Sequence, residues 1–240
     1  MRHRQTLTAL LFTFALASPA MCQDQTRPTL ATQLDEVAAG AAKRFPAEVL
    51  STFKDGIKNV KATGIEANAI QVGDLAIDAE LTGWDGNTIK LSELWKSGPV
   101  VLMWYRGGWC PYCNLQLRAM QKELSAIEGA GARLVVLTPE LPEKAKETAE
   151  RNGLAMIALH DKDNELAKQY GIAFDLPPAI IPMYRDKLKL GSFNGNDKME
   201  LPLSATYVID SSGKITYAFL DADYTKRAEP TEVMAAVKAL

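Results

Sequence analysis

The sequence predicts an α/β domain, with a central mixed sheet covered by helices on both faces and preceded by an N-terminal helical arm. Three observations carry this. The run "GPVVLMWY" (98–105) is apolar throughout, as expected of a strand buried on both faces. After it, helical and strand patterns alternate, which implies parallel strands joined by crossover helices. Near the C-terminus, "ATYVIDSSGKITYAFLD" (205–221) reads as two strands joined at Ser211, Ser212 and Gly213, an antiparallel hairpin.

The elements follow in chain order. Residues 1–22 open with Arg2, His3 and Arg4, continue with an apolar run from Leu7 to Ala17, and end with the small residues Ser18 and Ala20. This is the pattern of an export signal, and a periplasmic or secreted protein is expected. The run is shorter than the roughly 20 residues of a spanning helix, so no stable membrane insertion is expected after signal removal. Cleavage after Ala20 keeps Cys22, whereas cleavage after Cys22 removes it.

Residues 23–70 form the arm. Val49, Phe53, Ile57 and Val60 share one helical face, and Pro46 marks a break between two helices. The arm is expected to pack on the following domain, residues 71–240, rather than to recruit a partner. "AELTGWDGNTIKLSEL" (79–94) predicts two strands around Asp85, Gly86 and Asn87. Leu117, Met120, Leu124 and Ile127 stripe a helix. "ARLVVLTPE" (132–140) predicts a strand, "PEKAKETAERNG" (142–153) a helix ended by Gly153, "LAMIALHD" (154–161) another strand, and "PTEVMAAVKAL" (230–240) a closing helix with Pro230 at its start. The segment 174–203 carries four prolines and is too long for a plain connector. It predicts a short helix around Ile181 to Lys189 and a loop near the substrate; the competing reading is that it covers a sheet edge.

With 240 residues, 47% hydrophobic and 23% charged, and a net charge of −2, the composition is that of a globular protein without a basic footprint for nucleic acid. Small molecules or proteins are the expected partners.

The chemistry centres on "RGGWCPYC" (106–113). Cys110 and Cys113 fall where the apolar strand gives way to a helix, and open α/β sheets build their sites at the carboxyl ends of such strands. Unpaired N–H groups and the dipole at a helix start stabilise a thiolate. Arg106 adds positive charge, Gly107 and Gly108 permit a tight turn, and Pro111 suits a first helical position. Trp109 and Tyr112 shield the thiols, dock a peptide, or simply pack. A structural disulfide across so short a loop constrains the unfolded chain little. Structural zinc wants four ligands, and the mature chain adds at most Cys22 and His160 to the pair. Haem attachment needs a histidine where Asn114 stands. His160 is the only histidine beyond the signal, and it reads as a strand-end residue with a satisfied ring rather than a cysteine-hydrolase base.

The runs "VGDLAIDAELTGWDGNTIKLSEL", "GPVVLMWYRGGWCPYCNLQLRAM" and "LPLSATYVIDSSGKITYAFLDADYTKRAEPTEV" together resemble the peroxiredoxin-like branch of the alkyl hydroperoxide reductase/thiol-specific antioxidant (AhpC/TSA) family. The resemblance runs from about Gln71 to the C-terminus, and the arm before it also looks like this branch. It implies a thioredoxin-like fold and thiol-based reduction of peroxides or disulfides; hydrogen peroxide or organic hydroperoxides as substrate, a thioredoxin-like reductant, and no cofactor or metal are expected. The family pattern PxxxTxxC places the peroxidatic cysteine on Cys113, its threonine on Cys110 and its proline on Arg106. The peroxidase arginine of a later strand falls near Ser204, where thioredoxins carry a cis-proline, and Ile77 stands in place of the proline of "VGDxAP".

Two mechanisms follow. In one, Cys113 attacks a hydroperoxide and its sulfenic acid is captured as a Cys110–Cys113 disulfide, with Arg106, Arg185 or Arg227 stabilising the thiolate. In the other, Cys110 attacks a protein disulfide and Cys113 resolves the mixed disulfide, chemistry that suits an exported protein. A third reading is a redox-inert binding module with a permanent disulfide.

Overall fold

The structure, a computed structural model, describes residues 28–240; the expected export signal and Cys22 lie outside the described residues. The arm is two helices, α1 (Leu30–Arg44) and α2 (Ala47–Ala62), followed by a short α3 (Ile65–Asn68). Proline forces the residue before it out of the helical region, so Phe45 is extended (φ −106°, ψ 142°) and the chain bends there. The arm is fastened at its two ends. Leu30 and Leu34 of α1 are buried, and the carboxylate of Glu229 accepts the N–H groups of Leu30 (3.2 Å) and Ala31 (2.6 Å). At the other end Val60 is buried, and Gly56 lies against Ile180.

The domain continues with β1 (Glu80–Gly83), β2 (Thr88–Lys90), α4 (Leu91–Lys96), β3 (Val100–Trp104), α5 (Pro111–Gly129), β4 (Arg133–Thr138), α6 (Pro142–Asn152), β5 (Ile157–His160), α7 (Glu165–Gln169) and β6 (Ala173–Asp175). A π-helical segment, Met183–Leu188, comes next. Then follow α8 (Leu190–Asn194), β7 (Glu200–Pro202), β8 (Thr206–Ile209), β9 (Ile215–Phe219) and α9 (Pro230–Lys238). The seven-stranded sheet has the order β2-β1-β5-β4-β3-β8-β9. Its centre, β3, β4 and β5, is parallel, and the β8/β9 hairpin is antiparallel.

The central strand shows why its sequence is apolar throughout. Val101, Met103 and Tyr105 enter the core under α1, α5 and α9, while Val100, Leu102 and Trp104 enter the core on the opposite face. The second predicted strand ends early. At Leu91 the chain turns into α4, because the Ser92 N–H is taken by the Asp78 carboxylate (2.8 Å) and Leu91 and Trp95 are buried beneath. The long 174–203 segment is a small lobe whose ends pair as β6 and β7 around Leu176, Ile180, Tyr184, Leu190 and Leu201. The helix expected around Ile181 to Lys189 is the π-helical segment, and through Tyr184 the lobe reaches Arg106.

Candidate active site

Cys110 is the N-cap of α5, Pro111 its first residue, and Cys113 lies in the same first turn. The approach is tight. A side chain on Gly107 (φ +150°) would strike the Trp109 ring, and one on Gly108 would strike Thr148 of α6. The turn is held by Gly108, whose N–H donates to Glu140 Oε1 (2.9 Å) and whose carbonyl accepts from Asn114 Nδ2 (2.8 Å) and Arg151 (3.2 Å).

Both cysteines are free thiols and both are buried, Cys110 at 2% and Cys113 at 0% exposure. Around Cys113 the structure gathers residues distant in sequence. An Arg227 guanidinium nitrogen lies 3.4 Å from Cys113 Sγ, and Ser204 Oγ lies 4.0 Å away. Arg227 is held by the carbonyls of Tyr224 and Lys226. Arg106 is caged by aromatic rings, its guanidinium carbon 4.4 Å from the Tyr224 centroid, 5.3 Å from Trp109 and 5.7 Å from Tyr184, and it donates to the Tyr184 hydroxyl. Tyr112 packs edge-on to Tyr224 with centroids 5.7 Å apart. Both arginines are buried, neither pairs with a carboxylate among the described residues, and the Nε of each lacks a partner. Two buried cations without a carboxylate favour an anion between them.

The thiols split accordingly. Burial alone raises the Cys113 pKa, but the hydrogen bond from Cys110 and the charges of Arg227 and Arg106 outweigh it and hold Cys113 well below the usual thiol range. Burial pushes Cys110 well up, and its hydrogen bond to Cys113 keeps the proton there. Glu140 is raised to about 7, chiefly by burial, and its Oε2 has no partner. Sequence reasoning passed over Glu140 and Tyr184. The only signals for them were a carboxylate just past a buried strand and an aromatic residue in a proline-rich segment.

Of the expected site residues, Cys110, Cys113, Arg106, Trp109, Pro111, Tyr112, Ser204 and Arg227 converge. Arg185 does not, because it is exposed at the surface and paired with its neighbour Asp186 (2.8 Å). His160 ends β5 with Nε2 unpartnered, so its ring is not fully satisfied, and no hydrogen bond among the described residues joins it to either cysteine. Among the described residues no group of three or more His, Cys, Asp or Glu side chains could hold a metal ion, and no helix is long and apolar enough to cross a membrane.

The sequence model of the AhpC/TSA family matches residues 72–218, well over half of the chain. The chain belongs to the AhpC/TSA family. Among its relatives are the chloroplastic peroxiredoxin Q of Triticum aestivum, 26% identical over 76% of this chain and 74% of that protein, and peroxiredoxin Bcp of Escherichia coli, 23% identical over 64% of this chain and 88% of the relative. The fold is that of solved peroxiredoxins. The peroxidoxin BcpB of Mycobacterium tuberculosis superposes with a TM-score of 0.56 at 21% identity, covering 71% of this chain and 98% of that one. A peroxiredoxin-like protein of Aquifex aeolicus gives 0.57 at 20% identity, covering 71% and 88%. This AhpC/TSA chain is thus a peroxiredoxin-type oxidoreductase with a thioredoxin-like fold. Its helices α1 and α2, and Arg227, lie outside the residues matched to the family.

Proposed function

We propose that the protein is a thiol peroxidase in which Cys113 is the peroxidatic cysteine and Cys110 resolves it. The observation that carries this reading is the buried Cys113 sulfur 3.4 Å from the Arg227 guanidinium, with Cys110 on the same helical turn and the buried Arg106 on the loop that leads into it. The Cys113 thiolate attacks one oxygen of a hydroperoxide. A sulfur–oxygen bond forms, the oxygen–oxygen bond breaks, and the leaving alkoxide takes up a proton to give the alcohol. The two guanidiniums stabilise the charge on the leaving oxygen. Cys110, once deprotonated, attacks the Cys113 sulfenic sulfur, forming the Cys110–Cys113 disulfide and expelling hydroxide, which is protonated to water. A thioredoxin-like dithiol reduces the disulfide. On the sequence of residues 1–22 alone, the protein is taken to work after export.

One observation favours a second reading, exchange with protein disulfides through Cys110: it is Cys110, not Cys113, that lines the cavity leading to the site. Against it, Cys110 is only 2% exposed beneath the arm, so a disulfide on a folded protein does not reach it in this conformation. Peroxide consumption by the reduced protein, with sulfenic acid followed by mass, separates the two. For a peroxidase, Cys113→Ser is inactive and Cys110→Ser stops at a sulfenic acid. Should peroxide react no faster than with a free thiol while Cys113→Ser traps mixed disulfides through Cys110, the peroxidase reading is overturned.

A further inference from the structure

Oxidation of the thiol pair consumes a proton. Starting from a thiolate on Cys113 and a thiol on Cys110, the products, an alcohol and a water, carry one hydrogen more than Cys110 and the hydroperoxide bring. Oxidation also removes a charge. The disulfide is neutral, so the buried Arg106 and Arg227, which pair with no carboxylate among the described residues, lose the anion beside them. Both deficits are met by a buried acid that holds a proton while the thiolate is present and releases it when the thiolate is spent.

Glu140 is so placed. Among the described residues it and Asp161 are the buried carboxylates, and both Asp161 oxygens are taken by donors. Glu140 takes only the Gly108 N–H on Oε1 (2.9 Å) and leaves Oε2 without a partner. The turn it holds through Gly108 leads directly into Cys110, the N-cap of α5. Tyr105 faces it from the end of β3, Cys113 from α5, and Lys144, Glu147 and Arg151 from α6. Burial raises Glu140 to about 7; the Gly108 hydrogen bond and Arg151 lower it, and the charges of Cys113 and Glu147 raise it further. Loss of the Cys113 charge removes one of the influences that hold the proton. No hydrogen bond among the described residues joins Glu140 to either sulfur, so it acts on the pair through charge and proton exchange rather than by contact.

We propose that Glu140 is the proton reservoir of the thiol pair, giving up a proton to the departing oxygen as the Cys110–Cys113 disulfide forms, so that the buried negative charge passes from Cys113 to Glu140. Reduction by a dithiol reverses this. Of the two dithiol hydrogens one goes to Cys110 and one to Glu140, and Cys113 returns as a thiolate. The proposal rests on the pair being a working dithiol, as in the peroxidase reading, but not on peroxide as its oxidant.

The test counts protons. The reduced protein in weak buffer is oxidised with one equivalent of hydrogen peroxide or, separately, of diamide, a small azo compound that takes up two hydrogens and leaves the same proton balance. An indicator dye reads the uptake from solution. We expect less than about half a proton per disulfide at about pH 6, where Glu140 supplies it, and about one at about pH 9, where Glu140 is ionised in both states. In Glu140→Gln, which keeps an acceptor for Gly108, the uptake is about one at both pH values. Infrared difference spectra give a second readout that needs no variant. The carbonyl stretch of a protonated carboxyl disappears on oxidation and shifts with isotopically labelled glutamate, and Glu140 is the one glutamate buried among the described residues.

Uptake of about one proton at both pH values in the unmodified protein, or a lowered uptake that persists in Glu140→Gln, overturns the reservoir. If that pattern comes with rapid consumption of peroxide, the peroxidase reading still stands. A pH-dependent uptake with diamide but no consumption of peroxide supports the reservoir and overturns the peroxidase reading. Failure of both oxidants to form the disulfide overturns both.

Discussion

Two buried carboxylates sit just beyond the ends of neighbouring parallel strands, Asp161 after β5 and Glu140 after β4, and the protein treats them differently. Asp161 is fully engaged. Its Oδ1 accepts the Leu166 N–H (2.8 Å), and its Oδ2 accepts Trp104 Nε1 (2.9 Å) and the Ala167 N–H (3.0 Å). It ties the central strand to the start of α7. Glu140 takes one N–H from the turn beneath the cysteines and leaves Oε2 unpartnered. Burial raises both acids, and Glu140 reaches about 7. The contrast separates structural burial from chemical burial. Asp161 builds a joint; beside the thiols Glu140, Arg106 and Arg227 each keep one atom without a partner, as do a few buried groups elsewhere, Tyr207 and His160 among them.

The largest effect that tests this contrast is on stability. Asp161→Ala leaves three buried donors without an acceptor, and at about 1–3 kcal/mol each the expected loss is roughly 3 kcal/mol or more, read by urea unfolding. A loss below about 1 kcal/mol breaks the assignment of Asp161 as a joint. The next effect is a pH dependence. Glu140 has a pKa of 4.5 unfolded and about 7 folded, so the folded state holds the extra proton between those values. Stability falls as pH rises through this window and levels off above it, by about 3 kcal/mol in total. Glu140→Gln, which keeps an acceptor for Gly108, removes that slope, and an unchanged slope rules out Glu140 as its source. The smallest effect concerns the thiol itself. Arg227→Gln moves Cys113 titration upward by about one unit, measured by thiolate absorbance, because an opposite charge in contact shifts a pKa by about that much or more. No shift would remove Arg227 from the site's electrostatics.

Much of this was legible in sequence because it is local. The uniformly apolar run is β3, Pro46 divides the arm, Gly153 caps α6 in the left-handed region, and Pro111 starts α5 behind Cys110. What escaped was long-range. Nothing local distinguishes Arg227, which reaches a sulfur 114 positions away, from Arg185, which stays at the surface. Glu140 is one acid among many until β3 and β4 pair and bring Gly108 over it. The strand expected through Leu94 gives way to α4 because Asp78, fourteen residues from Ser92, caps that helix. The arm's role as a roof was hidden for a different reason. Its helical face announces packing, but the space beneath it, lined by the small Ala38, Ala41 and Ala42 of α1, shows only once the helices are docked.

The roof also has a bearing on time. With both sulfurs under folded chain, a bulky thiol or disulfide in solution can trade electrons with the pair only when the arm or the first turn of α5 opens. A slim oxidant is spared that wait. The burial of both sulfurs therefore insulates the site kinetically from bulky thiols outside, so that its exchange with them is timed by the opening of the fold rather than by the average redox poise.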